Sequence, residues 1–339
     1  MNCGERVIEW LYTKQLQVDE QWSLRRQAGF TWWAYQHAQT IEIAAEETGP
    51  DGEIAYLISV RTDVVCNISP GLYQPAEVNE IAASASMWGP VYQQDDATLQ
   101  LCSLVRVHPG IAHWMQGLIA TAAVLQLDAA TSLAEAFAIA ARGEVAVSGH
   151  PVNGLRSQPD EMAGIVRSMV LPLGNALSGW QADEFEMVCE SLMQSPPALF
   201  ANPGAAGLPV EFPFGEISSL CQMHGDQPHP VLGNGLAIRQ SFPVALDDSK
   251  AGPALAMMLN RQELLKSISG YGFGSFHFSL GMIQFSSFLP NAVYKPGLLE
   301  NLYYGCAGRA IELSEILAGG TSPNAKHATQ TMLEMLEIL

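Results

Sequence analysis

Residues 221–239 read CQMHGDQPHPVLGNGLAIR and bring Cys221, His224 and His229 within nine positions. Thiolate and imidazole are zinc ligands, so a metal centre is the first chemistry to weigh. The spacing argues against it. Structural zinc sites use closely paired ligands, and no C-x2-C partner motif stands anywhere in the chain. Pro228 and Pro230 flank His229, which suits a loop. His108 and His113 straddle Pro109-Gly110, so they do not share a helix face. Gly233-Asn234-Gly235 resembles a phosphate loop, but such a loop must open a helix. Here it precedes LAIRQSF, which alternates like a strand, and no Lys-Ser/Thr follows. The bend reads as backbone geometry. GFGSF at 272–276 misses the G-x-S-x-G elbow by one position. Asp95-Asp96, Glu46-Glu47 and Asp247-Asp248 fall in loop-like stretches and read as solvated surface. No catalytic, cofactor-binding or metal residue is assigned. A metal-dependent or small-molecule enzyme built on 221–235 stands as the alternative, as does a structural subunit of a larger assembly.

The composition narrows the partners. The 339 residues carry 16 basic and 34 acidic side chains, a formal charge of −18 spread over both halves. Such a surface repels nucleic-acid backbones and anionic lipid, and it attracts basic segments. A protein or peptide segment is the expected partner, with a basic one favoured by the charge. The N-terminal MNCGERVIEWLYTKQ has no apolar leader core. The apolar stretch GLIATAAVLQLDAATSLAEAFAIAA is interrupted at Gln126, Asp128 and Glu135, too short on either side of Asp128 to span a bilayer. Six scattered cysteines read as buried reduced thiols. Together these point to the cytoplasm.

Those residues must be carried by regular elements. Periodicity predicts a helix over 5–16, then strands at 30–33, 39–43 and 53–61, with a turn at 48–52. A helix over 76–87 and a strand at 99–107 follow. Two helices are expected next, 111–127 and 132–143, the second opened by the capping-box pattern Ser132-x-x-Glu135. Residues 147–161 are rich in Gly, Pro and Ser, as linkers are. The second half reads as helices at 160–170 and 181–194, and strands at 198–202, 208–214, 218–223 and 235–242. A helix at 250–268, a hairpin at 273–289 and helices at 296–317 and 327–339 complete it.

The halves repeat an order. LQLCSLVRV at 99 aligns without gaps with IQFSSFLPN at 283, matching Gln100 to Gln284 and Ser103 to Ser287. Helices follow Pro109-Gly110 and Pro296-Gly297. The fold class is therefore α+β: two tandem domains, each an antiparallel sheet with helices mainly on one face. The expected boundaries are 1–145, a linker and helix over 146–180, 181–318, and a tail helix over 319–339. The tail's apolar stripe either docks on its own domain or blocks a binding groove.

A sheet covered on one face leaves aromatic rings on the other. Trp32 and Trp33 point to opposite faces of a strand. Phe212 and Phe214 flank Pro213, a residue of edge strands or bulges. With Phe285 and Phe288 they are the candidate partner-binding residues, either an open apolar surface or rings covered by a neighbouring element.

GFTWWAYQHAQTIEI, LGNGLAIRQSFPV, LNRQELL and FLPNAVYKPGLLENL together resemble bacterial proteins with tandem YbjN-like, type III secretion chaperone-like domains. The likeness covers most of 1–318 and is clearest over 208–310. It implies a helix, three strands, a helix, two strands and a helix per domain. It also implies a non-catalytic role, binding a protein segment. Such chaperones are acidic homodimers. A tandem pair implies a monomer with an internal pseudo-dimer, or a homodimer.

Overall fold

The computed structural model describes residues 1–48, 52–170, 179–194, 198–204, 206–244, 251–266 and 269–317. The tail helix expected over 319–339, most of the 48–52 turn and Asp247-Asp248 lie outside the described residues.

The first unit opens with α1 (Cys3–Trp10), whose Asn2 and Glu5 form a capping box. The strands β1 (Ser23–Arg26), β2 (Gly29–Trp32), β3 (Gln39–Thr48) and β4 (Ile54–Cys66) follow. Then come α2 (Pro75–Ala82), β5 (Gly89–Gln93), β6 (Thr98–Val107), α3 (Ala112–Ala141) and β7 (Glu144–Val145). After α4 (Glu161–Val170), the second unit contains α5 (Ala182–Gln194), β8 (Phe200–Ala201), β9 (Gly207–Phe214), β10 (Ile217–His224) and β11 (Gly235–Phe242). It closes with α6 (Ala251–Lys266), β12 (Tyr271–Gly272), β13 (Ser275–Ser279), β14 (Met282–Pro290) and α7 (Leu298–Leu317).

Both sheets are antiparallel, and the α+β class holds. The first runs β1-β2-β3-β4-β6, with β5 also paired to β6. The second runs β13-β14-β11-β10-β9-β8. The order β2-β3-β4-β6-β5 thus matches β9-β10-β11-β14-β13. Each set is preceded by a helix, interrupted by a second and followed by a third. The register agrees with the ungapped repeat: Val60 pairs with Ser103 in one sheet, and Ile238 with Ser287 in the other.

The repeat extends to buried polar groups. Gln39 Nε2 donates to the Ala123 carbonyl at 2.9 Å, and Gln126 lies 3.1 Å from Thr62 Oγ1. In the second unit Gln240 Nε2 donates to the Cys306 carbonyl at 2.9 Å, and Arg309 Nη1 to Gln240 Oε1 at 3.3 Å. Gln240 holds the place of Thr62, and Gln39 that of Cys221 one strand over, so Ala123 and Gln126 on α3 meet this strand pair as Cys306 and Arg309 on α7 meet theirs. Satisfying these groups inside the core fixes the rotation of each helix on its sheet.

Two expected helices, 111–127 and 132–143, are one helix, α3. No Gly or Pro stands between 127 and 132, and Ser132 donates back to the Asp128 carbonyl at 2.8 Å instead of capping a new start. As one element it is long and apolar enough to cross a membrane, and 72% of its most apolar window is buried inside the fold. It packs against β4 and β6 on one side and faces the second sheet with the other, which is why its apolar residues are not confined to one stripe.

The units interlock. β12 of the second half pairs with β6, placing Gly272 opposite Leu104. In return Ser86 of the first half lies along β14, with its Oγ donating to the Phe288 carbonyl at 2.7 Å and its carbonyl accepting from Phe288 N at 3.4 Å. Leu104 and Phe288 are equivalent in the repeat. Asn79 of α2 closes the edge of β13, donating to the Phe278 carbonyl at 3.1 Å and accepting from its N–H at 2.6 Å. Helix α6 packs on β5 and β6 as well as on β13.

Candidate functional site

The six aromatic candidates are buried: Trp32, Trp33, Phe212, Phe214, Phe285 and Phe288 all lie at 5% exposure or less. An open aromatic surface is therefore absent at these positions. Trp32 faces the core, its Nε1 donating to Gln39 Oε1 at 3.0 Å. Trp33 faces the other way, but residues 148–156 cover it. Its Nε1 donates to Ser148 Oγ at 3.1 Å, and His150 packs edge-on at 5.1 Å. Pro213 does occupy a free edge: β8 pairs only opposite Val210 and Glu211, so the missing N–H at 213 breaks no ladder. Phe285 lies under the Arg309 guanidinium, 3.6 Å from the ring centre.

Phe288 borders the larger of the spaces that these rings meet, whereas Phe285 lines only a small cavity beside Arg309. A cleft of about 680 Å³ lies between the helix-free face of the second sheet and the first unit. Its floor is set by strand alternation. Gln222 and His224 of β10, Ala237 and Arg239 of β11, and Ser286 and Phe288 of β14 share the face opposite α7. The facing wall is Leu125, Asp128, Ala129, Ser132 and Leu133 of α3, and one end is closed by residues 83–86 and Trp88. The loop 227–232 forms the remaining rim. A mostly apolar hollow with a few polar groups is the common form of a ligand site.

The stretch that suggested metal chemistry is thus a cleft wall. Cys221 points to the core, in contact with Cys306 beneath α7, while His224 lies on the opposite face. His229 has its ring committed. Its Nδ1 accepts from Val231 N and Leu232 N, both at 3.1 Å, and the ring bonds the Ser84 carbonyl across the cleft. Burial lowers its pKa below the ordinary imidazole value, with the Ser84 bond opposing. Among the described residues no group of three potential metal-ligating side chains comes together.

The bend at 229–233 has a twin that the sequence reading passed over. His-Pro-Val-x-Gly occurs at 150–154 and again at 229–233. Both copies close with paired backbone bonds between the His and the Gly, and both glycines have positive φ, +71° and +70°. In both, the His Nδ1 accepts from the next two free N–H groups. The signal was a plain pentapeptide repeat. The copies stand at non-equivalent places in the fold, so they are a shared local brace and not part of the domain repeat.

Two charged groups face each other across the cleft. Asp128 is ion-paired to Arg167 at 3.0 Å, and burial raises its pKa while Arg167 opposes the shift. Arg239 is exposed on the floor and forms no ion pair among the described residues. Ser287 borders the cleft, and its buried hydroxyl has no partner among the described residues. Its repeat counterpart Ser103 donates to the Met87 carbonyl at 2.7 Å.

Comparison with protein-family models, with curated proteins and with solved structures gives no match.

Proposed function

We propose that the chain is a non-catalytic binding protein that holds a short apolar segment of a client protein in the cleft between its two units. The cleft is the observation that carries this reading. It combines Trp88, Leu125, Leu133, Leu232 and Phe288 with a handful of hydroxyls, a composition suited to side-chain burial with a few orienting bonds. Its polar groups do not assemble a nucleophile, a base and an orienting partner, so the reading has no chemical step. The element order supports the relation to secretion chaperone-like domains that the sequence suggests. The interlocked strands support a pseudo-dimer within one chain. A volume of this size also suits a compact small molecule, the second reading.

A photo-crosslinking residue at Val231, an exposed rim position, tests it in cells. The reading expects a discrete protein adduct that is lost when Ser132→Trp fills the cleft. Adducts unaffected by Ser132→Trp, or none beyond those from a probe at exposed Thr13, would reject it.

A further inference from the structure

The repeat exposes a charge that one unit neutralises and the other leaves open. In the first sheet Thr40 pairs with Arg61 and Glu42 with Ser59. In the second, Gln222 pairs with Arg239 and His224 with Ala237. Arg239 therefore occupies the place of Arg61, and His224 the place of Glu42. Arg61 is ion-paired to Glu42. The second unit has an imidazole where that carboxylate would be, and its arginine lines the cleft. Strand neighbours surround it with further donors: Gln222 on one side and Ser286 on the other.

We infer that Arg239, flanked by Gln222, His224 and Ser286, receives the free C-terminal carboxylate of the client segment. The inference rests on the cleft being the client's seat. A planar guanidinium matches a carboxylate with two parallel bonds. In the row beside it Ala237 and Phe288 are apolar, and Leu125 and Ala129 of α3 line the same cleft, so the last side chains of a peptide would lie among them. One arginine facing Asp128 suits a single negative charge better than a doubly charged phosphate. The chain's net charge of −18 does not oppose this at close range, because surface fields are screened within about 8 Å at physiological salt.

The test titrates the full chain with acetyl-Ala-Leu-Leu-Leu ending in a free acid, with its C-terminal amide, and with decanoate. The acid is expected to bind about tenfold more tightly than the amide, as charge-assisted bonds imply. That preference should vanish in Arg239→Met and in His224→Glu, which supplies an internal carboxylate. Equal binding of acid and amide by the natural chain would overturn the carboxylate assignment and leave the cleft reading standing. Decanoate binding without the peptide acid would overturn the C-terminus as source. No binding of any probe would overturn both readings.

Discussion

Arg61 and Glu42 are ion-paired across β3 and β4, at the place in the first sheet that Arg239 and His224 occupy in the second. His224→Glu should therefore rebuild the pair. The variant is expected to gain about 0.2–1 kcal/mol, the range for partly exposed pairs. Urea denaturation measures this, and a loss of stability would contradict the equivalence.

Arg309 and Glu263 form a buried ion pair at 3.0 Å, and the guanidinium also reaches Ser269, Gln240 and the Tyr271 carbonyl. Removing one charge strands the other. Arg309→Met is expected to cost about 3–5 kcal/mol, whereas Arg309→Met with Glu263→Met should cost less than the sum of the singles. Chemical denaturation of the three variants checks the cycle.

Asn79 stitches α2 to β13 through both its amide atoms. Asn79→Ala leaves the Phe278 N–H and carbonyl without these partners, at a cost of about 1–3 kcal/mol. Hydrogen exchange should quicken at Phe278 and its strand neighbours. Unchanged protection there would mean the contact does not join the units.

Gly207 lies against β10, and a Cβ there would stand 2.5 Å from the Met223 carbonyl oxygen and 2.5 Å from His224 Nδ1. Gly207→Ala should displace the His224 ring and destabilise the second sheet by about 1–3 kcal/mol. The imidazole NMR shifts of His224 report the displacement.

Burial holds His37, His229 and His277 below the ordinary value of 6.5. The unfolded chain takes up protons on these rings near that value while the folded chain does not. Stability is therefore lost as pH falls through about 6.5, until the folded rings protonate in turn. The urea midpoint should drop between about pH 7.5 and about pH 5.5, and His277→Gln should make the drop smaller.

The regular elements were legible because alternation and turn residues mark them locally. β11 runs over Gly235–Phe242, where LAIRQSF alternates behind its Gly-Asn-Gly bend. The ungapped match of 99–107 to 283–291 located equivalent strands, since residues with the same partners share a pattern. The expected break in α3 failed because Ser132 as readily bonds back along a helix as caps one. Of the two readings of the aromatic candidates, covered rings hold, and the cover is tertiary. What covers Trp33 comes from 148–156, and the cleft beside Phe288 is walled by α3, residues 83–86 and Trp88. Arg239 could be placed on a strand from sequence, but its lack of a carboxylate appears only when the registers of both sheets are laid side by side.

Trp88 borders the cleft, so its indole signal reports on the proposed seat. The most direct measurement is the 15N indole signal of Trp88, identified by its loss in Trp88→Phe, during titration with acetyl-Ala-Leu-Leu-Leu as the free acid. A saturable shift in the natural chain that is absent in Ser132→Trp is the expected result. Saturable binding that leaves Trp88 unmoved, or that persists in Ser132→Trp, would contradict the cleft as the binding site.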